Sequence, residues 1–244
     1  MENLEEQIKE LLKIIDTYDN IVFFGGAGVS TESGIPDFRS VDGLYHQKYK
    51  FPPETILSHS FFQSQPEEFF RFYQDKMLAL DAKPNAAHKK LAELEQAGKL
   101  TAVVTQNIDG LHQAAGSKNV YELHGSVHRN YCQHCGKFYD AQYMKSCHGV
   151  PRCTCGGIIK PDVVLYEESL DEQCLMNSVQ AIAQADMLII GGTSLAVYPA
   201  AGLIQYFRGK YLVVINKGQT QRSTGAQLTI DAPIGKVLKQ IQVR

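Results

Sequence analysis

Four cysteines fall in two short pairs whose spacing is close to that of a zinc ribbon. Cys132 and Cys135 are separated by two residues, and seventeen residues later Cys153 and Cys155 are separated by one. Tetrahedral Zn²⁺ needs four converging thiolates, and two tight cysteine turns supply two each. The sequence therefore predicts one structural zinc ion on these four thiols, with no open position for catalysis.

Two alternatives to this zinc site stay open at the level of the sequence. The second pair is one residue shorter than the usual spacing, so Cys147 can replace Cys153 or Cys155, and His134 and His148 are further candidate ligands. Redox exchange between neighbouring thiols is the competing function. Metal binding is favoured over a disulfide framework, because five of the six cysteines lie within 24 residues and the chain shows no secretion signal.

A glycine-rich turn directly follows the first apolar run of the chain. Residues 20–24 are apolar and rich in strand formers, and Gly25-Gly26-Ala27-Gly28-Val29-Ser30 comes next. Glycines at such a turn let the backbone approach a pyrophosphate, whose charge the amides of the next helix would face. Thr31 stands where a strict G-x-G-x-x-G motif has its last glycine, so a tight turn without a ligand is the alternative.

The residues after this turn predict a loop. Gly34 and Pro36 interrupt regular structure there. Such a loop can fold over a bound nucleotide and bring Asp37, Phe38 and Arg39 into the site. The alternative is an ordinary surface loop.

Polar side chains also follow the next apolar run, residues 101–105. Gln106, Asn107 and Asp109 stand beyond the end of this predicted strand, where ligands of open α/β sheets bind. The same Asn-x-Asp-Gly sequence is equally typical of a turn that binds no ligand. Imidazole titrates near neutral pH and can act as a general base, but the chain has eight histidines and their residue type alone does not single one out.

The elements that must position these residues alternate along the chain. Four apolar runs predict buried strands, at residues 20–24, 101–105, 187–190 and 211–215. Helical periodicity precedes or separates them, at residues 4–15, 85–97 and 170–185. Strands that alternate with helices predict an α/β fold with a parallel sheet covered on both faces.

Two stretches do not fit this alternation and predict a smaller inserted domain. Residues 36–84 are rich in aromatic residues and mostly helical in pattern, and residues 129–159 hold the cysteine pairs. We expect a helical module in the first and a zinc-binding module in the second. The core domain is then discontinuous, with residues 1–35, 85–128 and 160–244. The cleft between the two domains is the expected ligand site.

The composition excludes several classes of partner. Hydrophobic residues make up 44% of the chain and charged residues 20%, with a net charge of −2 and no basic run. These values indicate a globular protein that does not bind nucleic acid directly. The N-terminus resembles neither a signal nor a transit peptide, and the longest apolar stretches are too short to span a bilayer. We therefore expect a cytoplasmic monomer that does not bind membranes.

Five motifs, in the correct order, resemble those of the sirtuin (Sir2) family in its bacterial form. They are GAGVSTESGIPDFRS at 26–40, TQNIDGLH at 105–112, LHG at 123–125, GTSL at 192–195 and VIN at 214–216. The resemblance runs from about residue 20 to residue 238. It implies a Rossmann-like domain with a smaller domain of zinc-ribbon and helical modules. It also implies an NAD-dependent protein-lysine deacylase.

The resemblance implies a role for each matching residue. His124 would be the general base, with Asn107 and Asp109 as the other catalytic residues, whereas His88 and His112 are expected to be structural. The residues that would bind NAD are Gly26, Ala27, Gly28, Ser30, Thr31, Asp37, Phe38, Arg39, Gln106, Asn107, Asp109, Gly192, Thr193, Ser194, Asn216 and Ala232. NAD would be a co-substrate: the acyl group passes from lysine to ADP-ribose, and nicotinamide is released.

The same resemblance implies how an acylated lysine in a peptide or protein would bind. Val163, Val164, Leu165 and Tyr166 match the segment that pairs with the peptide as an added strand. The usual Phe-Gly-Glu is replaced here by Tyr166-Glu167-Glu168. Tyr73 and Lys76 stand where the family branch that removes succinyl groups has tyrosine and arginine, and lysine lacks the bidentate contact of arginine. We therefore expect acetyl to be preferred over acidic acyl groups.

Three other functions compete with deacylation. A mono-ADP-ribosyltransferase would use the same nucleotide site with a different acceptor. A catalytically idle NAD or ADP-ribose sensor would have no need for Asn107, Asp109 and His124 together. A zinc-ribbon nucleic-acid module is disfavoured, because the sequence has no basic run.

Overall fold

The alternating elements assemble into a parallel sheet and a second, smaller sheet. The computed structural model describes residues 2–37, 50–218 and 225–242. The strands in chain order are β1 (Ile21–Gly25), β2 (Leu100–Thr105), β3 (Val120–Glu122), β4 (Gly125–Cys132), β5 (Phe138–Tyr139), β6 (Ile159–Val163), β7 (Met187–Gly191), β8 (Tyr211–Asn216) and β9 (Leu228–Asp231).

Helices connect these strands and make up much of the described part of the first insertion. They are α1 (Glu2–Thr17), α2 (Pro53–Ile56), α3 (His59–Ser64), α4 (Pro66–Phe72), α5 (Ala86–Gln96), α6 (Leu111–Ala115), α7 (Ala141–Ser146), α8 (Glu172–Gln184) and α9 (Ile234–Leu238). Short 3₁₀ helices span Ala27–Val29, Thr31–Ser33 and Ala200–Tyr206, and a π-helical turn spans Tyr73–Met77. None of these described helices is both long and apolar enough to cross a membrane.

Six strands form one parallel sheet in the order β3-β2-β1-β7-β8-β9. β2 and then β3 are added on one side of β1, and β8 and then β9 are added on the opposite side, beyond β7. The order therefore reverses between β1 and β7, which pair in register from Ile21 opposite Met187 to Gly25 opposite Gly191. Such a reversal opens a crevice at the carboxyl ends of the strands. The predicted Rossmann-like fold is confirmed.

The buried strands place alternate side chains on opposite faces of this sheet. Ile21 and Phe23 of β1 pack with α1, α5 and α9, while Val22 and Phe24 pack with α8 and the 3₁₀ helix at 200–206. Both sets are 0% exposed. A strand has a side-chain period of two, so a continuous apolar run is what a sheet covered on both faces requires.

The two insertions share one separate core. Phenylalanines of α3 and α4 pack with Val127 and Ile159 of the smaller sheet, which is antiparallel in the order β5-β4-β6. Phe69 and Phe70 are 0% exposed and meet edge to face at 5.1 Å. The smaller sheet reaches from Gly125 to Val163 and is thus longer than the predicted module at 129–159.

Two strands of the large sheet were not predicted from the sequence. β3 has only three residues, all half-buried, and β9 has four whose burial alternates. Neither presents the continuous apolar run by which the other four strands were recognised.

Candidate active site

A cleft of about 1240 Å³ lies at the carboxyl ends of all six strands of the parallel sheet. Its wall includes the residue or turn that follows each of these strands, and residues of the smaller domain close the opposite side. The predicted site residues that line it are Gly26, Ala27, Gly28, Ser30, Thr31, Asp37, Lys76, Gln106, Asn107, Asp109, His124, Val163, Val164, Leu165, Tyr166, Gly192, Thr193, Ser194 and Asn216.

Two of the described residues predicted to bind NAD or substrate, Ala232 and Tyr73, do not line this wall. Phe38 and Arg39 lie outside the described residues. Ala232 is 6% exposed and donates its backbone N–H to the Asn216 carbonyl, while its neighbours Asp231 and Pro233 form the wall. Tyr73 is 0% exposed and stacks on Phe69, and its hydroxyl has no hydrogen-bond partner among the described residues. Burial raises the pKa of this phenol. Tyr73 is therefore a core residue of the helical module, and its burial gives no support to the predicted contact with substrate.

The glycine turn is packed directly against the end of β7. Gly28 N–H donates to the Gly192 carbonyl at 2.8 Å. A Cβ at Gly28 would lie 2.9 Å from both the Cα and the carbonyl oxygen of Gly192, and a Cβ at Gly26 would lie 2.9 Å from the Cβ of Thr193. Only glycine fits at positions 26 and 28, because the glycine turn and the turn after β7 lie so close together. Main-chain atoms therefore line the floor of the cleft at this point.

A chain of hydrogen bonds connects the ends of β2, β7 and β8. Gln106 Nε2 donates to Thr193 Oγ1 at 3.0 Å. The Asn216 amide makes two bonds with the Thr193 backbone, accepting from its N–H at 3.1 Å and donating to its carbonyl at 2.7 Å. These bonds orient three predicted nucleotide-binding side chains.

A second network joins the glycine turn to the loop after β2. Ser30 Oγ donates to Asp109 Oδ2 at 2.6 Å and accepts from Asn107 Nδ2 at 3.1 Å. The other carboxylate oxygen of Asp109 caps α6 by accepting from Leu111 N–H at 2.9 Å. Asn107 is only 8% exposed and Ser30 1%. The predicted catalytic residues Asn107 and Asp109 are thus joined through Ser30.

His124 has an orientation that suits a general base. Its Nδ1 lies 2.9 Å from the Gln106 carbonyl oxygen, which can only accept a hydrogen bond. Nδ1 therefore carries the proton, and Nε2 keeps its lone pair. Burial lowers the pKa of His124, and the bond to Gln106 opposes this only in part. The ring is therefore neutral near pH 7.

His128 was not predicted as a site residue, yet it also lines the cleft. Its Nε2 lies 2.9 Å from the Asp109 carbonyl, and its ring lies over Gly110, which has a φ of +70°. A Cβ at Gly110 would lie 2.7 Å from this ring. No short-range pattern in the sequence indicated this contact, because 19 residues separate His128 from Asp109 in the chain.

The segment after β6 forms the wall opposite the glycine turn. Val164 N–H donates to the His124 carbonyl, and Tyr166 pairs through its N–H and carbonyl with Leu57 and His59. The Val164 carbonyl accepts no hydrogen bond from the described part of the chain. A main-chain acceptor is thus available beside the candidate base.

The four predicted cysteines converge in the smaller domain. Their sulfur atoms all lie within 4.8 Å of one another. The Sγ separations are 3.5 Å from Cys132 to Cys155, 3.6 Å from Cys135 to Cys153 and 3.5 Å from Cys135 to Cys155. A ZnS₄ tetrahedron with bonds of about 2.3 Å needs sulfurs about 3.8 Å apart. The residues therefore fit one zinc ion, and no ligand position stays open.

The surroundings of the cysteines also suit a metal. His134 N–H points at Cys132 Sγ at 3.4 Å, and a Cβ at Gly157 would lie 2.7 Å from the same sulfur. Cys147, which follows α7, does not belong to the converging group among the described residues, nor do His134 and His148. The ambiguity left by the sequence is resolved in favour of Cys153 and Cys155.

Comparisons with known proteins agree with this geometry. The model of the Sir2 family matches residues 26–199. An NAD-dependent protein deacetylase from Clostridium acetobutylicum is 61% identical over 242 residues, which cover 98% of this chain and 99% of the relative. A protein of the same description from Staphylococcus aureus strain N315 is 42% identical over 98% of this chain and 99% of its own length.

Solved structures give the same result. A Sir2 variant with deacetylated p53 peptide and 3′-O-acetyl ADP ribose is 40% identical, has a TM-score of 0.88 and covers 95% of this chain and 96% of its own. A complex of Sir2 with a p53 peptide and NAD⁺ is also 40% identical, with a TM-score of 0.84 and 96% coverage of both chains.

Proposed function

This chain belongs to the Sir2 family, and on that premise we propose that it is an NAD-dependent protein-lysine deacetylase. It transfers the acyl group from lysine to ADP-ribose and releases nicotinamide. The observation that carries the proposal is the orientation of His124 by the Gln106 carbonyl, between the Asn107–Asp109 loop and the segment after β6.

His124 is the general base of this reaction. Its neutral ring and the lone pair on Nε2 let it accept a proton from a ribose hydroxyl. A well-placed base contributes about 10²–10⁴-fold in rate. Burial lowers the pKa of His124, so the ring is ready to accept a proton at neutral pH.

The dinucleotide spans the reversal of strand order between β1 and β7. The backbone of Gly26, Ala27 and Gly28 approaches its pyrophosphate, with Ser30 and Thr31 beside it. Asn107 and Asp109 hold the nicotinamide ribose and carboxamide, with Gln106 beside them. Thr193, Ser194 and Asn216 face the phosphate and the adenosine ribose. The rigid networks around Ser30 and Thr193 support these roles.

The acyl transfer then follows from these positions. The acyl-lysine carbonyl oxygen attacks C1′ of the nicotinamide ribose, and nicotinamide leaves with the electron pair of its bond to C1′. His124 removes a proton from the ribose hydroxyls, and the 2′ oxygen attacks the former carbonyl carbon. Water completes the reaction, giving free lysine and O-acyl-ADP-ribose.

The acylated peptide binds as an added strand beside the segment Val163–Tyr166. Main-chain pairing of this kind tolerates many sequences. The Val164 carbonyl, which accepts no hydrogen bond from the described residues, supports this mode. One NAD and one acylated peptide then share the cleft.

We further propose that acetyl groups are preferred over succinyl groups. Tyr73 is buried in the core of the helical module, and Lys76 Nζ lies 3.0 Å from Asp75 Oδ2. A ligand carboxylate would therefore have no help from the tyrosine and would compete with Asp75 for the lysine. Turnover of acetyl- and succinyl-peptides of the same sequence measures this preference.

The zinc ion has a structural role. Its four thiolate ligands leave no position for a substrate or water, and they join β4 to the loop before β6. When bound, the metal supplies folding free energy to the smaller domain.

Incubation with an acetyl-lysine peptide, with and without NAD, tests the proposed function. Mass analysis should find deacetylated peptide and O-acetyl-ADP-ribose in equal amounts, and neither without NAD. ADP-ribosylated protein as the product would instead indicate a mono-ADP-ribosyltransferase. A folded, zinc-loaded protein that leaves NAD intact in the presence of the peptide would contradict the proposal.

A further inference from the structure

Glu167 has a backbone conformation that residues other than glycine rarely adopt. Its φ is +76°, and among the described non-glycine residues only Leu195 shares a positive φ. The left-handed region brings Cβ too close to the neighbouring backbone, so such a residue persists only where its surroundings hold it. Something in the structure must therefore stabilise Glu167.

The carboxylate of Glu167 supplies this stabilisation. Its Oε2 accepts from the backbone N–H of Ser60 at 2.9 Å, and its Oε1 accepts from the hydroxyl of the same serine at 3.0 Å. Ser60 belongs to the first turn of α3, and 107 residues separate it from Glu167. The two bonds form a clamp between the helical module and the segment after β6.

The same side of this segment is already occupied by the helical module. Tyr166 N–H donates to the Leu57 carbonyl at 3.0 Å, and His59 N–H donates to the Tyr166 carbonyl at 3.0 Å. Ser58 thus pairs with Tyr166 in a short parallel bridge. A peptide can add only where main-chain groups are still available.

Glu167 carries two of those main-chain groups. Within the described part of the chain its N–H donates no hydrogen bond and its carbonyl accepts none, whereas Leu165 N–H donates to the Glu168 carboxylate at 2.8 Å. Glu167 also lines the cleft. The dihedral angles at Glu167 set the direction of its N–H and carbonyl, and the clamp to Ser60 holds these angles.

We infer that Glu167 is a positioning residue for the acyl-peptide, because its clamp to Ser60 holds the main-chain edge on which the peptide adds. The inference rests on the proposed deacetylase function. It assigns Glu167 to the peptide alone, since neither Ser60 nor Glu167 is bonded to the glycine turn or to the Asn107–Asp109 loop. Loss of the clamp should therefore weaken peptide binding and leave NAD binding intact.

The test is a set of three variants with full steady-state kinetics for both substrates. Glu167→Gly removes the clamp and also the strain, so its thermal stability should stay close to that of the wild type. Its KM for an acetyl-lysine peptide should rise about tenfold, because two hydrogen bonds are lost. Its KM for NAD should stay within about twofold, with kcat little changed.

The conservative variant distinguishes the clamp from the charge. Glu167→Gln keeps an oxygen for the Ser60 N–H and an amide that can donate to the Ser60 hydroxyl. Its peptide KM should stay within about twofold of the wild type. Ser60→Ala removes one bond of the two, and its peptide KM should rise about threefold. This last variant keeps Glu167 in place and is informative even if the glycine variant folds poorly.

Several results would overturn the inference. One is an unchanged peptide KM in both Glu167→Gly and Ser60→Ala, and another is an equal rise in KM for NAD and peptide. A peptide KM that rises as much in Glu167→Gln as in Glu167→Gly would assign the effect to charge. An inactive wild-type protein contradicts the proposed function itself, so the two failures are distinguishable.

Discussion

The imidazole rings of His88 and His112 lie 4.7 Å apart, centroid to centroid, in the core beneath the Asp109 loop. His88 is 0% exposed and His112 1%. His88 Nδ1 accepts from the N–H of Asn85, whereas its Nε2 and both nitrogens of His112 have no hydrogen-bond partner in the part of the chain that the structure describes. Both histidines are thus held neutral, as expected of structural residues.

This pair predicts a loss of stability at mildly acidic pH. Burial lowers the pKa of His88 to about 4, which Asp109 opposes, and burial with the neighbouring His88 lowers that of His112 to about 3. The unfolded chain, with pKa values near 6.5, then binds more protons than the folded one below that pH. The free energy of unfolding should fall below about pH 6.5 and continue to fall to about pH 3. The maximal slope is about 1.4 kcal/mol per pH unit for each histidine.

Urea unfolding at pH 7.5, 6 and 5 measures this slope. His112→Leu removes one of the two buried bases and should make the profile shallower. His148→Gln, at an exposed position, is the matched control and should follow the wild type. Identical slopes for the wild type and His112→Leu would show that the acid sensitivity has another origin.

Loss of the imidazole at position 124 should stop catalysis and spare NAD binding. His124→Ala is expected to lower the rate of deacetylation by about 10²–10⁴-fold, because the ribose hydroxyl loses its base. In the wild type, kcat/KM should fall only below about pH 6.5, since burial lowers the pKa of His124. Product analysis measures the rate of deacetylation and its pH dependence, and calorimetric titration measures NAD binding. Deacetylation by His124→Ala at the wild-type rate would remove this residue from the mechanism.

A methyl group at Gly28 should damage the nucleotide site. The added Cβ would lie 2.9 Å from Gly192, so either the glycine turn or the end of β7 must move. We expect the KM for NAD to rise at least about tenfold in Gly28→Ala, because a displacement of about 1 Å at a positioned site costs up to 10²-fold. Gly202→Ala is the matched control, since its nearest atom would be 3.5 Å away, on Tyr198. Equal NAD KM values in both variants would contradict the assignment.

Removal of zinc should unfold the smaller domain. The cysteine cluster lies at one end of the core shared by the two insertions, to which Cys132 and Cys153 contribute directly. Chelation, or Cys135→Ser, should therefore lower the melting temperature and the peptide turnover together. Elemental analysis should find one zinc per chain in the wild type and none in Cys135→Ser. Cys174→Ser is the control, because Cys174 lies in α8 and outside the cluster, and this variant should keep its zinc. If Cys135→Ser also retained one zinc per chain, the proposed set of four ligands would be wrong.

Local patterns in the sequence were sufficient for much of this protein. Continuous apolar runs predicted β1, β2, β7 and β8, because burial on both faces of a sheet leaves no polar position in a strand. The spacing of the cysteine pairs predicted the zinc ligands, because two tight turns bring four thiols together without help from distant residues. The glycine turn and the polar loop after β2 were likewise readable, since each follows a strand directly.

Other features were decided only by contacts between distant segments. The bond from His124 to the Gln106 carbonyl, the approach of Gly28 to Gly192 and the clamp from Glu167 to Ser60 join residues 18, 164 and 107 positions apart. No local pattern encodes such a distance. The position of Tyr73 could not be predicted for the same reason. The helical pattern predicted a helix there, but it did not show which side of the π-helical turn packs in the aromatic core. Short-range residue patterns thus determined β1, β2, β7 and β8 and the turns after β1 and β2, whereas the chemistry of the cleft depends on how the folded backbone brings the ends of the strands together.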